Sequence, residues 1–283
     1  MSINLDMNLT GILLAGGKSS RINFDKTEIK INKIPLFIDQ VFKLSFFCNE
    51  ILISASENNY QYISSELARL EDYFNRYYFF CNLKEVPPVR IIRDKDRQDS
   101  SFGSIGPISG IESGLENAVN LYSLVIASDM PFISYNLLYL LEETKTSQRI
   151  LKDALIIKTE KGLESLCGIY SKKCLNVIRK NIKNKIYRIS GIFNNIDARL
   201  ILLNKLNIKS NDHNLIFYKL NNRKIDSLNF YNINTVDEYN YFIEIWDLQK
   251  LLFKKFSKKL NSNFNDDPIN LFCEKWKYFF YRH

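Results

Sequence analysis

The segment LTGILLAGGKSSRINFDK, residues 9–26, carries the strongest indication of the fold. Its first seven residues, 9–15, form an apolar run without polar alternation, which is typical of a buried strand in a parallel sheet. The run ends at Gly16 and Gly17, and a polar loop with three cations follows. Ligands of open α/β sheets bind beyond the carboxyl ends of the strands, where this loop begins. The segment therefore predicts a parallel α/β sheet with a ligand site after its first strand.

The loop itself has the features of a polyphosphate site. Paired glycines let the main chain approach a phosphate group and point its N–H groups at it. Lys18, Arg21 and Lys26 add positive charge at close spacing. The spacing matches neither the G-x-x-x-x-G-K-[ST] of a Walker A loop nor the G-x-G-x-x-G of a dinucleotide site. A surface turn with a few cations would contain the same residues, so the loop alone leaves both interpretations open.

Strands and helices alternate after this loop. Apolar runs predict further strands at 51–56, 89–92, 122–128, 154–159 and 165–170, and helical spacing predicts helices at 35–47, 58–82, 107–118 and 136–144. This order predicts a three-layer, Rossmann-like α/β fold with a mostly parallel sheet and helices on both faces. Ser190 predicts the cap of a helix through 192–204, and Thr235 with Glu238 predicts a capping box for the next helix.

Asp129 follows the apolar run 122–128 directly, at the predicted mouth of the sheet. A carboxylate there could bind Mg²⁺, which uses one or two carboxylates and completes its octahedron with phosphate oxygens. An aspartate shortly before Pro131 can equally be a turn or cap residue. Both interpretations of Asp129 stay open on the sequence alone.

Glycine is scarce in this chain and concentrated in two places. Only 10 of the 283 residues are glycine, about half of the average usage of ~7%. One group lies at 16–17 and a second, of four glycines, at 103–114. Backbone conformation or close approach to a ligand is the usual reason for such glycines. Packing of a helix against its neighbour explains Gly110 and Gly114 equally well.

The composition limits the classes of protein to consider. No stretch approaches the ~20 apolar residues of a membrane span, and the N-terminus lacks the pattern of a signal peptide. Five cysteines without a C-x-x-C pair argue against a disulfide framework or structural zinc and favour a cytoplasmic location. The net charge of +8 is spread along the chain, so we expect no nucleic acid and no membrane as partner. Nucleic-acid binding stays an alternative from charge alone.

Taken in order, the motifs resemble those of molybdenum cofactor guanylyltransferases, within the wider group of sugar-nucleotide and cytidylyltransferases. The matching segments are 14–21 with 25–26, similar to L-A-G-G-x-S-x-R-M-G-x-D-K; 106–111, similar to G-P-L-x-G-I; 129–131, similar to D-x-P; 166–170; 188–190; and 232–235, similar to N-x-N-T. Ile22 and Asn23 stand where that family has Met and Gly. The ordered match spans roughly 9–246, which predicts a nucleotidyltransferase domain over 1–246 and a helical tail over 247–283.

The resemblance implies transfer of GMP from GTP to the terminal phosphate of molybdopterin, with release of pyrophosphate and with Mg²⁺ as cofactor. A phosphate monoester has its second pKa at ~6, so this nucleophile is already ionised and needs no general base. The implied partners are GTP and molybdopterin, with transient contacts to other proteins of cofactor biosynthesis or molybdoenzyme maturation.

The loop, the aspartate and the resemblance together assign the site residues. The catalytic residues are Arg21, Lys26 and Asp129, and Asp129 is also the metal ligand. The nucleotide-binding residues are Leu14, Ala15, Gly16, Gly17, Lys18, Lys26, Ser54, Asp94 and Asp129, of which Ser54 and Asp94 follow from the resemblance and fall near the guanosine. The acceptor-binding residues are Arg188, Asn232 and Asn234; a polar turn before a capped helix would also explain the two asparagines.

Two other functions remain open at this stage. A cytidylyltransferase acting on molybdopterin or on a phosphorylated alcohol or sugar is the nearest, although such enzymes commonly show L-A-A-G where this chain has L-A-G-G. A non-catalytic GTP-binding module is the second, because Asn23 and the tail depart from the family pattern.

Overall fold

The fold is that of a computed structural model of the chain. It describes residues 8–16, 25–31, 33–77, 86–94, 105–147, 152–206, 217–220 and 223–259.

A seven-stranded sheet forms the centre of the molecule. Its strands are β1 (Leu9–Leu14), β4 (Glu50–Ala55), β5 (Val89–Arg93), β6 (Tyr122–Ala127), β7 (Ala154–Thr159), β8 (Gly162–Ser171) and β9 (Ala198–Leu202), in the order β5-β4-β1-β6-β8-β7-β9. β8 is antiparallel to β6 and β7, whereas the other four pairings are parallel. The prediction of a mostly parallel sheet is confirmed.

Among the described residues, five shorter strands lie outside the central sheet. They are β2 (Lys30–Ile31) and β3 (Ile34–Pro35), which form a ribbon, and β10 (Asn204–Leu206), β11 (Phe217–Leu220) and β12 (Arg223–Asp226), which form an antiparallel sheet.

Helices cover both faces of the central sheet. They are α1 (Leu36–Ser45), α2 (Glu57–Leu67), α3 (Leu70–Tyr77), α4 (Pro107–Asn117), α5 (Tyr135–Thr146) and α6 (Cys174–Lys183), followed by α7 (Val236–Lys259). Apolar residues of α1, α2, α3 and α5 form one core layer, and those of α4 and α6 form the other. The predicted three-layer α/β fold is therefore confirmed. Within the described ranges, no helix is both long enough and apolar enough to span a bilayer.

The apolar side chains of the central strands point alternately into the two core layers, one on each face of the sheet. In β1, Leu9 and Leu13 belong to one layer, whereas Ile12 and Leu14 belong to the other. All residues of β1, β4 and β6 are buried. A strand covered on both faces has no reason to alternate polar and apolar residues, which explains the continuous apolar run at 9–15.

The register of these strands positions the site. Leu14 is paired with Ser54 on one side and with Ala127 on the other. The pairing continues past the strand ends, because the N–H of Ala15 donates to the Ser54 carbonyl (2.9 Å) and the N–H of Ser128 donates to the Leu14 carbonyl (3.0 Å). The loops that begin at Gly16 and Asp129 therefore leave neighbouring strands at the same edge of the sheet.

The helix predicted after Ser190 is wrong. Residues Ile189–Ile192 form a single 3₁₀ turn, and β9 then pairs in parallel with β7 from Ala198 onward. Asn194, Asn195 and Asp197 favour turns over a helix interior. The apolar residues after Asp197 then gain more hydrogen bonding and burial as strand β9 beside β7 than they would in a helix.

The helix predicted after Thr235 does form. Thr235 Oγ1 accepts from the N–H of Glu238 at 3.2 Å, and α7 begins at Val236. The predicted domain boundary at 246/247 falls within α7, and residues 260–283 of the predicted tail lie outside the described residues. The division into domain and tail stays a prediction.

Candidate active site

Lys26, Asp129 and Asn234 meet at the carboxyl edge of the central sheet. Asp25 fixes the start of the short turn Lys26–Glu28, because its side chain accepts from the N–H and the hydroxyl of Thr27 at 2.9 and 2.7 Å. Lys26 Nζ then donates to Asp129 Oδ2 at 2.8 Å and to Asn234 Oδ1 at 2.6 Å. Three distant parts of the chain thus form one polar cluster.

The segment that carries Asn234 is attached to the loop of Asp129 through the main chain. The N–H of Ile233 donates to the Asp129 carbonyl at 3.0 Å. The N–H of Asn234 donates to Glu238 Oε2 in the first turn of α7 at 2.6 Å. The side-chain amide of Asn234 is therefore held where Lys26 reaches it.

The oxygens of this cluster suit a hard divalent cation. Asp129 Oδ1 and Asn232 Oδ1 are buried and have no hydrogen-bond partner among the described residues. The described part of the chain gathers no group of three His, Cys, Asp or Glu side chains that could hold a metal alone. Mg²⁺ needs only one or two carboxylates when phosphate oxygens and water complete its shell. The donor set around Asp129 fits that mode of binding.

Asp94 and Ser54 lie against Gly16 and Gly110, one glycine from each of the two groups. The Ser54 hydroxyl donates to Asp94 Oδ1. A Cβ added to Gly16 would lie 2.0 Å from Asp94 Oδ2, and one added to Gly110 would lie 2.8 Å from Ser54 Oγ. Burial raises the pKa of Asp94 to about 6, partly opposed by the Ser54 hydroxyl. The absence of side chains at Gly16 and Gly110 makes room for this carboxyl beside the first loop.

Asn59 is a residue of this site that the sequence analysis missed. Its side chain is buried in α2, and Nδ2 donates to the Ala15 carbonyl at 2.7 Å. Its Oδ1 accepts from the N–H of Ser56 at 3.0 Å, as part of the capping box of α2. The entry into the glycine loop is therefore fixed by Asn59 and by the Ser54 carbonyl. The pattern Ser-x-x-Asn after β4 was the available signal, and it indicated only a helix start.

A cavity of about 480 Å³ opens beside the cluster. Met130 and Asn232, the chain neighbours of Asp129 and Ile233, form one side of it. The remaining lining residues are Pro107, residues 163–167 of β8, and residues 187–190. Arg188 is exposed at this cavity, and burial raises the pKa of Glu164 within it. Glu164 and Tyr187 are further lining residues that the sequence analysis did not single out.

The predicted site residues occupy three neighbouring places. Gly16, Ser54 and Asp94 lie together at the carboxyl ends of β1, β4 and β5, where Leu14 and Ala15 end the first apolar run. The other two groups are the cluster of Lys26, Asp129 and Asn234, and the cavity with Arg188 and Asn232. The remaining predicted residues, Gly17, Lys18 and Arg21, lie outside the described residues.

Comparison with known proteins gives a consistent family. The model of the MobA-like NTP transferase domain matches residues 11–195. The chain is 31% identical over 232 residues to a Clostridium perfringens protein named "probable molybdenum cofactor guanylyltransferase", covering 82% of this chain and 94% of that protein. It is 24% identical over 234 residues to the molybdenum cofactor guanylyltransferase of Desulfosudis oleivorans, covering 81% and 92%.

A solved structure has a similar fold. Molybdopterin-guanine dinucleotide biosynthesis protein A from Archaeoglobus fulgidus superposes with a TM-score of 0.54 at 22% identity, covering 84% of this chain and 98% of the other. At this identity the likeness bears on the fold alone.

Proposed function

This chain belongs to the MobA-like NTP transferase family, and from that membership we propose that it transfers GMP from GTP to the terminal phosphate of molybdopterin. The observation that carries the proposal is the meeting of Lys26 and Asp129 at 2.8 Å, at the sheet edge where the glycine loop begins. A cation for phosphate oxygens and a carboxylate for a divalent metal are thereby available at one point. Both would stabilise the charge that develops when a nucleophile attacks a nucleoside triphosphate.

The reaction forms one P–O bond and breaks another. A terminal phosphate oxygen of molybdopterin attacks the α-phosphorus of GTP, and the bond from that phosphorus to the bridging oxygen of the β-phosphate breaks. Pyrophosphate leaves with that electron pair, and the product contains a diphosphate link. The nucleophile is already ionised near neutral pH, so the protein has to align the reactants and neutralise charge. We assign charge neutralisation on the leaving pyrophosphate to Lys26, with Lys18 and Arg21 as further cations of the same loop.

We assign Mg²⁺ binding to Asp129. The ion supplies charge neutralisation at the triphosphate and orients its oxygens. Asp129 Oδ1 is buried without a partner among the described residues, and Oδ2 is held by Lys26. Lys26 can move from Asp129 to the phosphates when the carboxylate has another cation to bind.

Asp94 suits recognition of guanine. The Watson–Crick edge of guanine presents two adjacent N–H donors, and a carboxylate accepts two hydrogen bonds side by side. Asp94 lies beside Gly16, with one oxygen bound by the Ser54 hydroxyl. Cytosine presents only one donor group there, so an ionised Asp94 favours GTP over CTP.

The cavity beside Asn232 suits the acceptor. Its volume of about 480 Å³ lies in the range of ~300–1,000 Å³ that small-molecule sites occupy. An exposed guanidinium such as that of Arg188 binds phosphate through two parallel hydrogen bonds. Ser165, Ser190 and the buried amide oxygen of Asn232 provide polar groups for a pterin ring.

We also propose a cytoplasmic location. Cys48, Cys167 and Cys174 are buried free thiols, which suits a reducing compartment.

The direct experiment supplies purified protein with Mg²⁺, molybdopterin and each of the four ribonucleoside triphosphates in turn, and measures pyrophosphate. Release with GTP that depends on molybdopterin is expected. Release of pyrophosphate with CTP, and with none of the other three triphosphates, would instead identify a cytidylyltransferase. Retention of GTP on the protein without pyrophosphate release would identify a binding module.

A further inference from the structure

Three consecutive main-chain carbonyls after β6 each accept a hydrogen bond from another part of the protein. The Asp129 carbonyl accepts from the N–H of Ile233 at 3.0 Å, and the Met130 carbonyl accepts from Gln40 Nε2 at 2.8 Å. The Pro131 carbonyl accepts from Lys43 Nζ at 3.4 Å. Two of the three donors are side chains of α1. The main chain that follows the proposed metal ligand is thus held by the segment before α7 through Ile233 and by α1 through Gln40 and Lys43.

Gln40 is an unusual residue for its position in α1. It is fully buried, and all ten residues of the helix are buried with it. Its Nε2 donates to Met130, but its Oε1 is buried without a partner within the described residues. A buried polar atom without a hydrogen bond costs stability, and without Gln40 the Met130 carbonyl still accepts from the N–H of Ile133 at 3.4 Å, so an apolar side chain of the same length would suit the fold at least as well. Stability alone therefore does not account for Gln40.

Lys43 and Asp39, one helical turn apart in α1, are also buried polar residues near the same loop. Lys43 Nζ lies 2.7 Å from Asp39 Oδ2, and both side chains are 3% exposed or less. Replacing such a buried ion pair by apolar residues is often neutral or stabilising, so its presence is weak evidence for a stabilising role. Besides Asp39, Lys43 Nζ contacts the carbonyl of Pro131. Gln40 and Lys43, two buried polar residues of α1, thus contact the same loop.

We propose that Gln40 is a positioning residue, which sets the place of the Asp129 carboxylate by holding the carbonyl of Met130. The inference rests on the proposed function, because it gives Asp129 the role of metal ligand. The Met130 carbonyl belongs to the Met130–Pro131 peptide unit, which adjoins the unit that joins Asp129 to Met130, so its release lets the Met130 main chain turn and the Asp129 carboxylate shift. Groups that orient a metal ligand through hydrogen bonds typically affect metal affinity or activity about 10–100-fold.

The test compares Gln40→Met with a matched control. Methionine keeps the length and volume of glutamine but cannot donate to the Met130 carbonyl. Ser45→Ala is the control, since Ser45 is also buried in α1 and, among the described residues, its hydroxyl donates only to the Val41 carbonyl of the same helix, at 2.9 Å. Binding of Mn²⁺ to each protein with GTP is measured in electron paramagnetic resonance as the loss of free Mn²⁺ signal beyond the loss that the same GTP causes without protein. Thermal unfolding without metal or nucleotide is measured by circular dichroism.

We expect Gln40→Met to weaken Mn²⁺ binding about tenfold, with an unfolding temperature equal to or above that of the unaltered protein. Ser45→Ala should leave Mn²⁺ binding unchanged. Equal Mn²⁺ binding in Gln40→Met and the unaltered protein would overturn the positioning role alone. A clear fall in unfolding temperature, or failure to fold, would also overturn it by making Gln40 a stabilising residue. If the unaltered protein binds no Mn²⁺ with GTP, the proposed function fails as well.

Discussion

The ammonium group of Lys26 lies 2.8 Å from a carboxylate oxygen of Asp129, although 103 residues separate them in the chain. Both side chains are largely but not fully buried, at 22% and 16% exposed. Each charge therefore compensates the other when no substrate is bound, and neither is left alone in a poorly solvated place. Phosphates and a divalent cation would together replace this pairing, with each residue exchanging one ionic partner for another.

Replacement of Asp129 by alanine should abolish Mg²⁺-dependent turnover and leave the protein folded. The side chain is the only carboxylate that the proposal gives to the metal, and loss of one preorganised charge typically costs about 10²–10³ in rate. Pyrophosphate release and the circular dichroism spectrum are the measurements. Asp197→Ala is the control, because Asp197 is an exposed aspartate paired with Lys152. Full activity of Asp129→Ala would remove the metal assignment.

Replacement of Lys26 by alanine should cost about 2–4 kcal/mol of transition-state stabilisation, seen as a fall in kcat. Lys26 would neutralise charge that grows on the leaving pyrophosphate, so the loss should be larger in the transition state than in the GTP complex. Lys30→Ala is the control, since Lys30 lies four residues away with its side chain 45% exposed and pairs with Glu66. A raised KM with unchanged kcat would mean that Lys26 only binds substrate.

Asp94 should make stability and GTP binding respond to pH in opposite ways. Its pKa rises from 3.8 to about 6, mainly through burial, so the folded protein binds this proton more tightly than the unfolded chain. Its contribution to folding stability therefore falls as pH rises from 3.8 through 6, by about 1–3 kcal/mol. Asp94→Asn should be the more stable protein at pH ~7.5, with a difference that shrinks toward low pH.

The same carboxylate is the acceptor that we propose for guanine. In the unaltered protein, KM for GTP should therefore rise as pH falls below about 6, whereas Asp94→Asn should have a high KM throughout. Thermal unfolding and initial rates over the same pH series test both halves. A stability difference between the two proteins that does not change with pH would contradict the shifted pKa.

Gly110 and Gly114 should respond differently to alanine, although they lie on the same helix, α4. A Cβ on Gly110 would lie 2.8 Å from Ser54 Oγ and so displace the partner of Asp94, which should raise KM for GTP. A Cβ on Gly114 would lie 2.6 Å from Ile12 in the core. Gly114→Ala should lower the free energy of unfolding by about 1–2 kcal/mol, after its gain in helix propensity, and leave KM unchanged. Equal effects of both variants on KM would contradict the assignment of Gly110 to the nucleotide site and of Gly114 to core packing.

The parts of the fold that the sequence predicted are those where local pattern and burial agree. β1, β4 and β6 are covered on both faces, so a continuous apolar run is sufficient to indicate each of them. Because parallel strands end at one edge, the same reasoning places Gly16 and Asp129 together. The roles of individual site residues stay predictions, since they depend on substrates.

The missed features depend on contacts between distant residues. Nothing near Lys26 in the sequence indicates that Asn234 accepts its hydrogen bond, 208 residues later. The burial of Gln40 depends on loop 129–131 covering one side of α1, whereas the sequence showed only a helix with a few polar positions. The antiparallel direction of β8 follows from the short connection that precedes it. Only two residues join β7 to β8, and a parallel connection needs a crossover of a dozen or more.

The span between Lys26 and Asn234 has a consequence for biosynthesis. On a ribosome adding about 5–20 residues per second, the 208 residues from Thr27 to Asn234 take on the order of 10–40 s to synthesise. During that interval a nascent chain can pair β1 with β4 and β6 and so shape the nucleotide side of the sheet. Lys26 then still lacks its amide partner, and the side of the site that we propose for the acceptor lacks Asn232 and Asn234. From the proposed role of Asn234, we expect group transfer to begin only after translation has passed the start of α7.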